Sequence, residues 1–104
     1  MHKLVVLYPH PTDPDHFREY YVATHLPLVA RMPGLLAWRY SFDIAAGAPG
    51  PAPYFAVFEA EFADAAAMNA ARASPQGRQV NADVANYATG GAVVIDYPVR
   101  PGTG

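Results

Sequence analysis

The sequence predicts a single α+β domain in the order strand, helix, strand, strand, helix, strand. Three observations predict it: a compact run of strand formers from Leu4 to Tyr8, two later stretches in which apolar residues alternate, and helix-start signals at Asp13-Pro14 and Ser74-Pro75. At 104 residues the chain can bury on the order of two-thirds of the surface it exposes when unfolded. It needs no disulfide or metal to hold such a core.

Leu4 to Tyr8 is the expected first strand, ended by Pro9 and Pro11. A helix should begin near residue 14, because an aspartate oxygen at Asp13 accepts orphan N–H groups and proline at the first helical position lacks the donor that would go unpaired. Phe17, Tyr21, Thr24 and Leu28 then fall on one helical face, and His25 lies one turn after Tyr21 beside that stripe. Pro27 cannot donate to the carbonyl of Ala23 and disfavours helical geometry at Leu26, which predicts a kink or loosening where the histidine sits.

Met32-Pro33-Gly34 stops that helix, and Leu36, Trp38, Tyr40, Phe42 and Ile44 give the second strand one strongly apolar face. A loop with several glycines and prolines, 46–53, precedes a third strand expected over Tyr54 to Phe62. Asp64 can cap an alanine-rich helix, and Ser74-Pro75 predicts a second helical piece that carries Val80, Val84 and Tyr87 inward. Gly90-Gly91 ends it, Ala92 to Tyr97 is the fourth strand, and the domain is expected over 1–98 with a loose tail over 99–104. This order is that of the ferredoxin-like βαββαβ fold, an antiparallel four-stranded sheet with helices on one face. Two right-handed crossovers put both helices together and leave the opposite face uncovered, in need of a partner such as a second copy of the chain, while Val5, Leu7, Val57, Val93 and Ile95 would add apolar area to whichever face they share.

Composition narrows the function. Seven basic and nine acidic residues, for a net charge of −2, leave no electrostatic footprint for nucleic acid. With no cysteine, thiol catalysis and thiolate metal sites are excluded. The apolar run at the start is too short for a signal core or a membrane span, so a cytoplasmic protein with no membrane partner is expected. Histidines 2, 10, 16 and 25 match no local metal motif, and no Gly-x-Gly-x-x-Gly follows a strand, so neither a metal nor another cofactor is expected. Glu59 and Glu61 share a strand face that should be solvated or interfacial, and Arg39 and Asp43 are spaced for a surface or interface ion pair.

The segment LYPHPTDPDHFREYYVATHLPLVARMPGL, residues 7–35, resembles the EthD family, small proteins of the dimeric α+β barrel class. The likeness lies in a strand-end tyrosine, a proline-rich turn, an Asp-Pro cap, a tyrosine pair, His25-Leu26-Pro27-Leu28 and a Pro-Gly stop. It extends through the PQGRQVNADVANYA helix and the last strand. The resemblance implies a homodimer in which each subunit has a small apolar pocket between helices and sheet. It fixes the fold better than the chemistry.

His25 is the leading candidate for chemistry, as general base or acid, since imidazole titrates near neutral pH. Tyr21 or Tyr8 is the candidate hydrogen-bond donor to a substrate oxygen. Phe17, Leu28, Trp38, Phe58, Val84 and Tyr87 are the expected pocket walls. Two functions follow: a cofactor-independent enzyme of the isomerase, cyclase/dehydratase or oxidoreductase type acting on a small, apolar carbonyl or phenolic metabolite, or a non-catalytic metabolite-binding or accessory protein. The free or saturated state of the imidazole discriminates between them.

Overall fold

A computed structural model describes residues 1–102. Four strands, β1 (His2–Tyr8), β2 (Ala37–Ser41), β3 (Ala56–Phe62) and β4 (Val93–Pro98), form one antiparallel sheet in the order β2-β3-β1-β4. The two earliest strands of the crossovers, β1 and β3, are the central ones. The register pairs Leu4 with Ala60 and with Asp96, so Leu4, Val6 and Tyr8 share a face with Phe58, Ala60, Phe62 and Val94. That face carries the helices, as the alternating burial of β3 records.

The helices are α1 (Pro14–Tyr20), α2 (Leu26–Val29), α3 (Ala65–Ala73) and α4 (Pro75–Asp83), with a 3-10 turn at Val84–Asn86. Each expected cap forms: Asp13 Oδ1 accepts from His16 N at 3.1 Å, Asp64 Oδ1 from Ala67 N at 2.7 Å, and Ser74 Oγ from Gly77 N at 3.0 Å. Ser74 ends α3 and starts α4, so the second helical region is the two pieces its sequence predicts.

Between α1 and α2 the chain makes a π turn over Tyr21–His25, closed by the Leu26 N–H on the Tyr21 carbonyl. The disturbance expected from Pro27 takes this form because the proline supplies no N–H to the turn before it. A π turn adds one residue to the helical repeat, and this rotates the faces. The expected stripe therefore holds only at Phe17 and Tyr21; Thr24 is exposed and Leu28 half-buried, while His25, Leu26 and Val29 point inward. The α-periodicity used for Thr24 and Leu28 fails at the inserted residue.

The core is aromatic. Phe17 is wholly buried, with ring centroids of Tyr87, Phe55, Tyr8 and Tyr21 between 4.9 and 5.4 Å away. β2 is shorter than the alternating stretch that predicts it, and Arg39 pairs across the sheet with Glu61 at 3.5 Å instead of along its own strand with Asp43. Asp43 lies beyond the end of β2, where the alternation of faces no longer applies. Glu59 pairs with Lys3 at 3.1 Å. The sheet face away from the helices joins Val5, Leu7, Val57, Val93 and Ile95 with Tyr97, and Val93, Ile95 and Tyr97 are 40–45% exposed. After β4, Val99 N–H bonds Met1 O at 2.9 Å and no regular structure follows to Gly102; residues 103 and 104 of the expected tail lie outside the described residues.

Candidate active site

His25 is 2% exposed and held by an aspartate the sequence reading did not single out. Its Nδ1 lies 2.9 Å from Oδ2 of Asp83 at the end of α4. Oδ1 of the same carboxylate accepts from the Tyr20 hydroxyl at 2.6 Å and from Asn86 Nδ2 at 2.9 Å. Burial pushes the Asp83 carboxyl up, but hydrogen bonds from Tyr20, Asn86 and His25 outweigh it and hold the group below its ordinary value. An ionised carboxylate only accepts, so His25 Nδ1 must carry the proton and donate it. The tautomer follows: Nε2 is left with its lone pair.

Burial also lowers the His25 pKa from its ordinary 6.5, with Asp83 opposing the shift, so the ring is neutral at neutral pH. Nε2 makes no hydrogen bond, and the one fully buried side-chain polar atom without a partner among the described residues is the Tyr21 hydroxyl. His25 lines a cavity of about 850 Å³ between the sheet and the helices.

Leu4, Val6, Phe58, Ala60 and Phe62 form the sheet wall of this cavity, and Val29, Val80 and Val84 are among its helical walls. Tyr8 joins His25 as a polar group in the buried part of the lining. Its hydroxyl lies 2.8 Å from that of Tyr87. The pair owns two O–H protons and spends one between them, so when Tyr87 donates, the Tyr8 proton is left for another oxygen, that of Tyr21 beside it or one in the cavity. Burial raises the Tyr8 pKa, partly offset by Tyr87, and burial raises Tyr21 and Tyr87 far above the ordinary phenol value. All three phenols are donors at neutral pH.

The sequence-derived candidates thus separate into two groups. His25, Tyr8, Phe58 and Val84 line the cavity together. Tyr21 stacks on His25 at 5.2 Å and lies 5.6 Å from the Tyr8 ring, in the layer behind them. Phe17 is the centre of the aromatic core, and Tyr87 is the partner of Tyr8. Trp38 stacks on Phe58 at 6.2 Å near the sheet edge, and Leu28 faces a shallow outer groove with Thr24, Gln79 and Asn86. Asp83 had a signal in the sequence: it falls three residues after Val80 and four before Tyr87, an acid within the inward stripe.

A ferredoxin-like sheet whose helices hold an aspartate-buttressed histidine against an apolar cavity defines a class of small α+β proteins with a pocket between their layers. The match to the EthD domain, over residues 9–91, makes the identity specific: the chain belongs to the EthD family. It is 35% identical over 96 residues, 91% of either chain, to an uncharacterised 11.0 kDa protein in the thcB-thcC intergenic region of Rhodococcus erythropolis. Among solved structures, an EthD family protein of Bacillus halodurans superposes with a TM-score of 0.88 at 24% identity, covering 96% of this chain and 99% of that one. A dimeric ferredoxin-like protein of Thermobifida fusca gives 0.71 at 17% identity, over 94% and 90%.

Proposed function

We propose that the protein is a cofactor-independent enzyme that moves a proton on an apolar carbonyl or phenolic metabolite, with His25 as base and Tyr8 as donor to the substrate oxygen. The observation that carries this reading is the His25–Asp83 pair at 2.9 Å, which leaves Nε2 of a cavity-lining histidine deprotonated and unbonded. Nε2 takes a proton from carbon next to a carbonyl, or from a phenol. The electron pair moves onto the substrate oxygen, where the Tyr8 O–H stabilises the developing charge, and Asp83 stabilises the imidazolium. Return of the proton to another atom completes an isomerisation; its return with loss of hydroxide completes a dehydration. A histidine saturated by backbone bonds would have favoured the non-catalytic binding reading.

The working unit of this proposal is a homodimer joined through the open sheet faces. The apolar strip of Val5, Leu7, Val57, Val93, Ile95 and Tyr97, bordered by the Lys3–Glu59 and Arg39–Glu61 pairs, supports it. So does the dimeric fold neighbour from Thermobifida fusca.

The test is hydrogen–deuterium exchange at the acidic carbon of benzoylacetone in heavy water, followed by NMR. Wild type is expected to accelerate exchange, and His25→Gln to lose about 10²-fold or more of that acceleration. Exchange by wild type no faster than in buffer, while the compound binds the cavity, would refute the catalytic reading.

A further inference from the structure

The cavity lining divides by exposure into an interior and a mouth. Leu4, Phe58, Ala60, Phe62, Val29 and Ala88 are buried, whereas Asn69, Arg72, Arg78, Asn81, Ala92 and Val94 are exposed. The mouth thus lies between the α3–α4 junction and the edge strand β4. Its polar side chains are two amides and two guanidinium groups. No aspartate or glutamate lines the cavity, in a chain with nine acids and seven bases. Among the described residues neither Arg72 nor Arg78 forms an ion pair. Asp96 shares the Val94 face of β4 but is bonded to His2 at 2.7 Å and is not part of the lining.

The two arginines are brought together by the helix break. Ser74 caps α4, so Arg72 sits in the last turn of α3 and Arg78 in the first turns of α4. The close approach at Gly77, whose added Cβ would fall 2.7 Å from the Arg72 carbonyl oxygen, fixes the junction. Arg78 is five residues from Asp83, roughly 8 Å along the helix axis. The backbone at the mouth and the backbone at Asp83, the partner of His25, are thus about the length of a ring system apart. The volume of about 850 Å³ lies near the upper end of the range for pockets that hold drug-sized molecules, and well beyond the need of a single small ring.

From this division we infer that the cavity takes an amphipathic carboxylic acid, its apolar body against the sheet wall and its carboxylate at Arg72 and Arg78. Arginine suits this task because its planar fork meets a carboxylate with paired N–H donors. The inference rests on the cavity being the substrate site. It narrows the substrate class to keto or phenolic acids, with the acid group as the handle and the oxygen near Tyr8 as the reacting end.

The test is binding of hydroxynaphthoic acid and of its uncharged methyl ester, measured by calorimetry at low ionic strength with wild type and with the double variant Arg72→Gln, Arg78→Gln. Wild type is expected to bind the acid about tenfold or more tighter than the ester, the range of one or two charge-assisted bonds. The double variant is expected to lose that preference while binding the ester as before, which also shows that its cavity is intact. Equal binding of acid and ester by wild type, or an acid preference that survives in the double variant, would overturn the arginine assignment and leave the cavity reading standing. Failure of both compounds to bind wild type would overturn both.

Discussion

His25 and Asp83, 58 residues apart in the chain, meet through a single 2.9 Å hydrogen bond that fixes which imidazole nitrogen holds the proton. Replacing Asp83 with asparagine keeps the size of the side chain and removes its charge. The imidazolium formed on proton transfer then has no counter-ion, and Tyr20 and Asn86 lose a charged acceptor. Asp83→Asn is expected to slow the benzoylacetone exchange rate by about 10²-fold or more, with the compound's affinity little changed. An unchanged rate would remove Asp83 from the mechanism.

The pH profile follows from the direction of the His25 shift. The base works only when neutral, so the acid limb of the exchange rate should lie below pH 6.5, the ordinary histidine value, because burial lowers the folded pKa. Stability has the same sign. Below 6.5 the unfolded chain binds a proton that folded His25 resists, so the contribution of this group is complete above 6.5 and is lost as pH falls towards the folded pKa. Asp83, held low in the fold, adds a second loss as pH falls below its ordinary value of 3.8. Denaturant midpoints at pH 8, 6 and 5 should fall in that order, and His25→Gln should flatten the slope; a midpoint that rises on acidification would contradict the assigned burial of a neutral ring.

The sequence made the sheet legible because strand alternation and proline-glycine punctuation are local signals; the order of elements and the three side-chain caps needed nothing more. Its helix face failed at Thr24 and Leu28, since a π turn shifts the repeat by one residue and only the absent N–H of Pro27 hints at it. His25 and Tyr8 were legible as site candidates from their chemistry. Asp83 left only its place in the inward stripe between Val80 and Tyr87, because what distinguishes it is a bond to a residue of a neighbouring helical segment 58 positions away.

Tyr21 presents a buried hydroxyl that makes no hydrogen bond of good geometry although the Tyr8 hydroxyl is beside it, so part of a desolvation cost of about 1–3 kcal/mol is not returned. Tyr21→Phe removes the hydroxyl and keeps the stacking on Phe17 and His25. The variant is expected to be as stable as wild type or more stable by about 1 kcal/mol in denaturant titration. Its exchange rate separates the two candidate donors: an unchanged rate assigns the substrate oxygen to Tyr8, and a large loss assigns it to Tyr21.

On the open sheet face, Ile95 pairs with Val5 of β1 and is 45% exposed. If two such faces join, an aspartate there would be desolvated on both sides of the interface, and the Lys3 that flanks it is already paired with Glu59. Ile95→Asp should shift sedimentation from dimer to monomer at micromolar protein. The substitution should scarcely disturb the isolated fold, because the side chain stands away from the helices. A wild-type chain that sediments as a monomer over the same range would discard the dimer.

Gly77 reverses an ordinary rule. Alanine in place of glycine inside a helix normally adds about 1 kcal/mol of stability. Here a Cβ would lie 2.1 Å from the Ala71 carbonyl oxygen and 2.7 Å from that of Arg72, both backbone atoms that cannot swing aside. Gly77→Ala must therefore push α4 off the end of α3, at a cost of about 1–3 kcal/mol or more. Because Arg72, Gly77 and Arg78 all line the cavity, the displacement would also splay its mouth. Denaturant titration should give a loss of stability, and hydroxynaphthoic acid should bind more weakly to whatever fraction remains folded. A stabilised Gly77→Ala variant would mean that the two helices are free to part without cost, and the junction would no longer fix the arginine pair.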